Sequence, residues 1–152
     1  MTPEEKLASL GIELPAAAAP IGSYLNAVRS GNLLHLSGGL PIIGDKKFFG
    51  KIPSQCDIET GKEAARTALI TRLAIIKAEL GSLDQVSRIV SLSGFVNADS
   101  DFTDHPQVIN GASDLLVEIF GEAGKHSRAA IGCSSLPLGV SVEIGLIVEV
   151  KS

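Results

Sequence analysis

Between Ser141 and Val150 the chain alternates with a period of two. Val142, Ile144, Leu146, Val148 and Val150 share one face of an extended strand, and Ser141, Glu143, Gly145, Ile147 and Glu149 share the other. A helix cannot use that pattern, because its 3.6-residue repeat would scatter the apolar side chains around the axis. A sheet with one apolar face needs a second layer, and two amphipathic stretches can supply it. The first helix is predicted over about Gly61–Leu80, with Ala65, Ala68, Leu69, Leu73, Ile76 and Leu80 along one side, a Thr60/Glu63 capping box and Gly81 as its stop. The second is predicted over about Pro106–Phe120, with Asp104 or His105 near its start and Val108, Ile109, Ala112, Leu115, Leu116, Ile119 and Phe120 on its apolar face. Two helices cover only one face of such a sheet. Ile147 and Ala130, read as lying on the second face, favour another copy of the chain as its cover.

The remaining pattern fills in an α+β order of helix, β-β, helix, β, helix, β-β. Thr2-Pro3-Glu4-Glu5 opens a short helix with a capping box, and Gly11 stops it. An Ala-rich connection runs from Pro15 to Pro20. Strands are predicted at Tyr24–Val28 and Leu33–Ser37, joined by a turn at Ser30-Gly31-Asn32. Pro41 to Gln55 reads as a long loop whose Phe48 and Phe49 need cover. Further strands are predicted at Val86–Val96 and Ser127–Cys133. The 152 residues suit one domain, residues 1–152, with residues 1–15 as a helical extension, and neither a repeat nor a linker interrupts them.

Composition excludes several function classes. A formal net charge of −4 argues against nucleic acid as the main partner, which would call for a basic face. The only basic cluster, Lys46, Lys47 and Lys51, reads as a solvated loop. Cys56 and Cys133 lie far apart, and His35, His105 and His126 are scattered, so no metal-ligand spacing exists and no metal or cofactor is expected. The opening residues lack a hydrophobic signal core and no apolar run reaches membrane-spanning length, which makes a cytoplasmic location the expectation and a membrane association not.

Two residues stand out for chemistry. Arg128 lies in the strand HSRAAIGCSSLP, where small neighbours leave room for a planar anion on its guanidinium fork. A solvated surface arginine is the equal alternative. Glu143 interrupts an apolar run. On an exposed face it is an ordinary outward residue; buried by a neighbour it could hold a water and shuttle protons. Tyr24, Ser37, Gly38 and Asn110 are weaker: packing, a turn with amides to offer an oxyanion, and a mid-helix amide. Cys133 has opposite parity to Arg128 and reads as core. Ser134-Ser135 has no accompanying His and Asp for a triad.

Together these residues resemble a known family. Ala19-Pro20-Ile21-Gly22-Ser23-Tyr24, Ser30-Gly31-Asn32-Leu33 and Ser37-Gly38 are similar to the N-terminal signature of the Rid (YjgF-type) family. Arg128 through Leu136-Pro137 to Val142-Glu143-Ile144 is similar to its C-terminal signature. The likeness runs from about residue 19 to the end. It implies a chorismate-mutase-like α+β fold, with a mixed sheet and two long helices on one face, assembled as a homotrimeric barrel with clefts between subunits. It also implies hydrolysis of small 2-imino or enamine acids, such as 2-iminobutanoate and 2-iminopropanoate. Arg128 would then grip the substrate carboxylate, Glu143 would activate water, and Tyr24, Ser37, Gly38 and Asn110 would line the cleft, without a cofactor. Members usually carry Cys where Ala130 stands and Gln where Gly39 stands. The long Ile42–Cys56 loop and the extra N-terminal helix resemble the longer YjgF branch. A non-catalytic binding module for a small carboxylate is the alternative expectation, and an endoribonuclease the third.

Overall fold

The computed structural model describes residues Met1 to Ser152. Helix α1 (Pro3–Ser9) is followed by strands β1 (Ala27–Ser30) and β2 (Leu33–Gly39), a small hairpin β3 (Ile42–Ile43) and β4 (Lys46–Lys47), and helix α2 (Ile58–Leu80). Strand β5 (Val86–Asn97), helix α3 (His105–Phe120) and strands β6 (Ser127–Cys133) and β7 (Val142–Val150) complete the chain. Five strands form one mixed sheet in the order β1-β2-β7-β5-β6. Only β5 and β6 pair in parallel. A parallel step cannot be closed by a tight turn, so α3 crosses over between them. The strands β2 and β5 each run antiparallel to β7 and therefore parallel to one another, and α2 makes that crossover.

Both crossovers lie on the same face. Val142, Ile144, Leu146, Val148 and Val150 of β7 meet Leu34 and Leu36 of β2 and Ile89, Leu92 and Val96 of β5 beneath the apolar sides of α2 and α3. Each fully buried Leu or Ile contributes about 1.5–3 kcal/mol. The two helices approach closely at Gly111, where a Cβ would collide with the Lys62 carbonyl and sit 3.0 Å from Lys62 Cα. Helix α1 docks by burying Leu7 and by the Glu4 carboxylate, which accepts from Leu83 N at 2.7 Å and Ser82 Oγ at 3.2 Å.

The opposite face of the sheet has no helix. Val28, His35, Ser91, Ser93, Phe95, Ala129, Ile131, Glu143, Gly145 and Ile147 populate it, all half-buried or exposed.

Several expectations are corrected. The first strand spans Ala27–Ser30, because the two-residue turn Gly31-Asn32 sets Ala27 opposite Leu36; Tyr24 lies before it in irregular chain. Helix α2 begins one turn early, capped by Asp57, whose carboxylate accepts from Thr60 N at 2.7 Å; Glu63 instead pairs with Lys46. The 41–55 stretch is not a plain loop. After the small hairpin, Ile52 is fully buried and bridges to Ala98, while Phe48 packs partly on the core and Phe49 stays exposed. Ala130 pairs with Gly94 and so faces α3, packed against the core. Cys133 does lie opposite Arg128 in parity, but that puts it on the helix-free face, half-buried and outside the core.

Candidate functional site

Arg128 pairs with Leu92, a core residue, so its side chain rises on the helix-covered face at the open edge of β6. There α3 receives it. Arg128 Nη1 donates to Asn110 Oδ1 at 2.7 Å and to Ser113 Oγ at 3.2 Å. Asn110 and Ser113 are three residues apart and hence on one side of the helix. The Ser113 hydroxyl in turn contacts His126 Nε2 at 2.9 Å, and His126 Nδ1 lies 2.6 Å from the Gly124 carbonyl. A carbonyl can only accept, so Nδ1 carries a proton, and in the neutral imidazole Nε2 then accepts from Ser113. The chain of donors thus runs from Arg128 to the backbone, and it fixes one nitrogen of an otherwise exposed guanidinium. The other donors of the fork remain available to a carboxylate.

Glu143 pairs with Phe95 and lies on the opposite, helix-free face. It is half-buried and makes no hydrogen bond or ion pair with any side chain of the chain. Its carboxylate rests against Gly38, where a Cβ would come within 2.8 Å of Glu143 Cδ. Burial pushes the Glu143 carboxyl above its ordinary value, and the nearby Arg72 guanidinium pulls it back. The Ser37 hydroxyl donates to Leu25 O at 2.6 Å and its amide to Asn26 O at 2.9 Å. Ser37 therefore has no N–H to offer an oxyanion and serves instead to tie the Tyr24 segment to the sheet.

Of the residues singled out in the sequence, Tyr24, Ser37, Gly38 and Glu143 gather at one place and Arg128 and Asn110 at another. The sheet separates the two groups. Sequence reasoning missed Arg72, which lies near enough to Tyr24 and Glu143 for its charge to interact with both. The signal was present: Arg72 stands four residues after Ala68 and four before Ile76, on the apolar side of α2. Ser113 and His126 were also missed, and only the pairing of β6 with α3 reveals them. A separate cavity of about 590 Å³ at the C-terminal end of β6 is lined by Lys51, Asp99, Phe102, His105 and Cys133 among others, and neither Arg128 nor Glu143 reaches it.

The model of the family described as "YjgF/chorismate_mutase-like, putative endoribonuclease" matches residues 4–150. Protein TCP17 of Trypanosoma cruzi is 42% identical over 149 residues, covering 96% of this chain and 92% of the relative. A 2-iminobutanoate/2-iminopropanoate deaminase of Dermatophagoides farinae is 28% identical over 142 residues, covering 92% and 95%. Among solved structures, "a putative endoribonuclease" from Shewanella oneidensis superposes with a TM-score of 0.95 at 35% identity, covering 99% of this chain and all of that one.

Proposed function

The chain belongs to the YjgF/chorismate mutase-like family, and on that premise we propose that it is a deaminase-like hydrolase of imines or enamines carrying a small carboxylate. The observation that carries the reading is Arg128, whose guanidinium is pinned on one side by Asn110 and Ser113 and left open on the other. Such a fork suits a 2-imino acid, because two parallel hydrogen bonds hold its carboxylate in plane. The cleft lies between copies, since Arg128 and Glu143 occupy opposite faces of one sheet. Arg128 of one copy and the Tyr24, Ser37, Gly38 and Glu143 group of the next would together enclose the substrate, in a homotrimer.

The chemistry follows from those roles. Glu143 takes a proton from a water as its oxygen bonds to the electrophilic C=N carbon, and the π pair moves to nitrogen. With the imine bound as its protonated iminium, this gives a neutral carbinolamine, and Glu143 returns its proton to the nitrogen. As the C–N bond breaks, the hydroxyl proton passes back to the Glu143 carboxylate and on to the departing ammonia, leaving a 2-oxo acid and ammonium. Neither redox change nor co-reactant beyond water is needed. Arg128 supplies orientation. We expect Arg128→Ala to lower kcat/KM by at least ~10²-fold, read as ammonia release from freshly generated 2-iminobutanoate. Undiminished release by the variant would refute the role of Arg128.

A second reading keeps the Arg128 cradle as a binding module without turnover. It is favoured by the completeness of that cradle within one chain, while Glu143 depends on a neighbour. A thermal-shift response to 2-oxo acids together with no ammonia release would select it.

A further inference from the structure

Arg72 is the one arginine buried in this chain, 8% exposed, and nothing in its own helix needs a charge. A buried guanidinium is costly unless its donors are used. Only two are used within the chain: Nη1 donates to Ser37 O at 2.9 Å and Nε to Thr71 Oγ1 at 3.3 Å. No carboxylate lies within ion-pair distance, so the remaining donors stay without a protein partner and reach solvent, while Tyr24 and Glu143 are near enough to feel the charge.

The backbone makes room for it. At Gly39 a Cβ would collide with Arg72 Nε, and would come within 2.8 Å of Arg72 Cδ and 2.9 Å of Thr71 Oγ1. Beside it, Gly38 abuts the Glu143 carboxylate. This is also where the β2–β7 register breaks, between Leu36 and Gly39. The irregular backbone therefore has the guanidinium on one side and the carboxylate on the other. Because the Ser37–Gly38 peptide is trans, a clamp on the Ser37 carbonyl turns the Gly38 N–H away from Arg72.

We propose that Arg72 is a positioning residue for Glu143, holding the Ser37–Gly38 peptide and the carboxylate in one arrangement at the mouth of the cleft. The proposal rests on the reading of Glu143 as the proton-transfer group. Beside Glu143 stand Gly38 from β2 and Phe95 from β5, with Arg72 of α2 across the Gly38–Gly39 backbone and near enough for its charge to act on the carboxylate. Arg72 is the only charged group among them. Its field opposes the cost of burying the carboxylate, although burial prevails and the Glu143 carboxyl stays above its ordinary value.

The test is a titration that does not depend on turnover. In protein labelled with 13C at glutamate carboxyls, the Glu143 signal is assigned by its loss in Glu143→Gln. Its midpoint is then followed in the wild type, Arg72→Met and Arg72→Lys. We expect Arg72→Met to raise the midpoint by about one pH unit, a tenfold change in protonation, and Arg72→Lys to recover most of it. The acid limb of the kcat/KM profile for 2-iminobutanoate should move with it. A midpoint in folded Arg72→Met that coincides with the wild type overturns the proposal. Should Arg72→Met fail to fold, Gly39→Ala displaces the guanidinium without deleting it, and the same shift or its absence decides. A wild type without ammonia release, but with the midpoint shift, sinks the deaminase reading and leaves the positioning role standing.

Discussion

Glu143 carries a cost that its surroundings do not cancel. Burial raises its carboxyl above the ordinary value, so the folded chain holds that proton more tightly than the unfolded one. The associated stability is fully present below the unfolded value and is lost as pH rises through the folded one. Near neutral pH the ionised carboxylate therefore weakens the fold, as strained functional groups commonly do. Glu143→Gln, neutral throughout, is expected to raise Tm near neutral pH. In acid the gain should vanish. Calorimetry across pH reads both, and a gain that persists in acid would assign the effect to packing. Arg128 is the converse case, an exposed side chain held by neighbours rather than by burial. Its candidacy was legible from the small residues that follow it. The hydroxyl and imidazole that order it were not, because Ser113 and His126 come together only when α3 lies over β6.

Among the elements, α2 shows how local rules compete. Thr60 with Glu63 and Asp57 with Ile58 both satisfy the sequence pattern of a helix start. The earlier start prevails, adding a turn that lets Ile58 pack on the core and frees Glu63 to pair with Lys46 at 2.6 Å. The Asp57 carboxyl is held below its ordinary value first by the Thr60 backbone N–H and then by the Thr60 side chain. A lowered value means stability that is present above the unfolded value and lost as pH falls through the folded one. Asp57→Ala should lower Tm at neutral pH, and the difference from wild type should shrink in acid. Asp57→Asn, a neutral cap, should retain part of the stability, and an unchanged Tm in Asp57→Ala would mean the helix start is held by packing alone. Strand β7 was read correctly from alternation alone, because a strand buried on one face leaves that signature directly in the sequence. Strand β1 was shifted by about three residues, since its bounds depend on the register of the hairpin and not on its own composition.

For the whole molecule, the helix-free face of the sheet is a feature that the single chain leaves uncovered. Val28, Phe95, Ile131 and Ile147 lie there, with Val28 51% and Ile131 49% exposed in the single chain. Another copy seated on that face would cover them and bring a foreign Arg128 toward Glu143. Ile147→Asp places a charge in its middle and leaves the core side of β7 untouched. We expect analytical ultracentrifugation to find a trimer for the wild type and a monomer for this variant, with ammonia release lost in step. A wild-type monomer, or a monomeric variant that retains turnover, would remove the intersubunit cleft. No helix is long and apolar enough to cross a membrane.

The sequence by itself determined the layers: the long helices and the strands of the main sheet, and that two helices cover one side of that sheet. It did so because periodicity records burial, residue by residue, wherever an element has one wet and one dry face. It also singled out Arg128 and Glu143, as charges set in otherwise apolar or small stretches. Only the tertiary structure decided which face Arg128 and Ala130 take relative to Glu143. Face is a relation between paired strands, and the parallel β5–β6 pairing turned Arg128 and Ala130 toward α3 while β7 turned Glu143 away. Arg72 belongs to the same class, since its closeness to Glu143 arises from a break in register and a glycine that leaves it space.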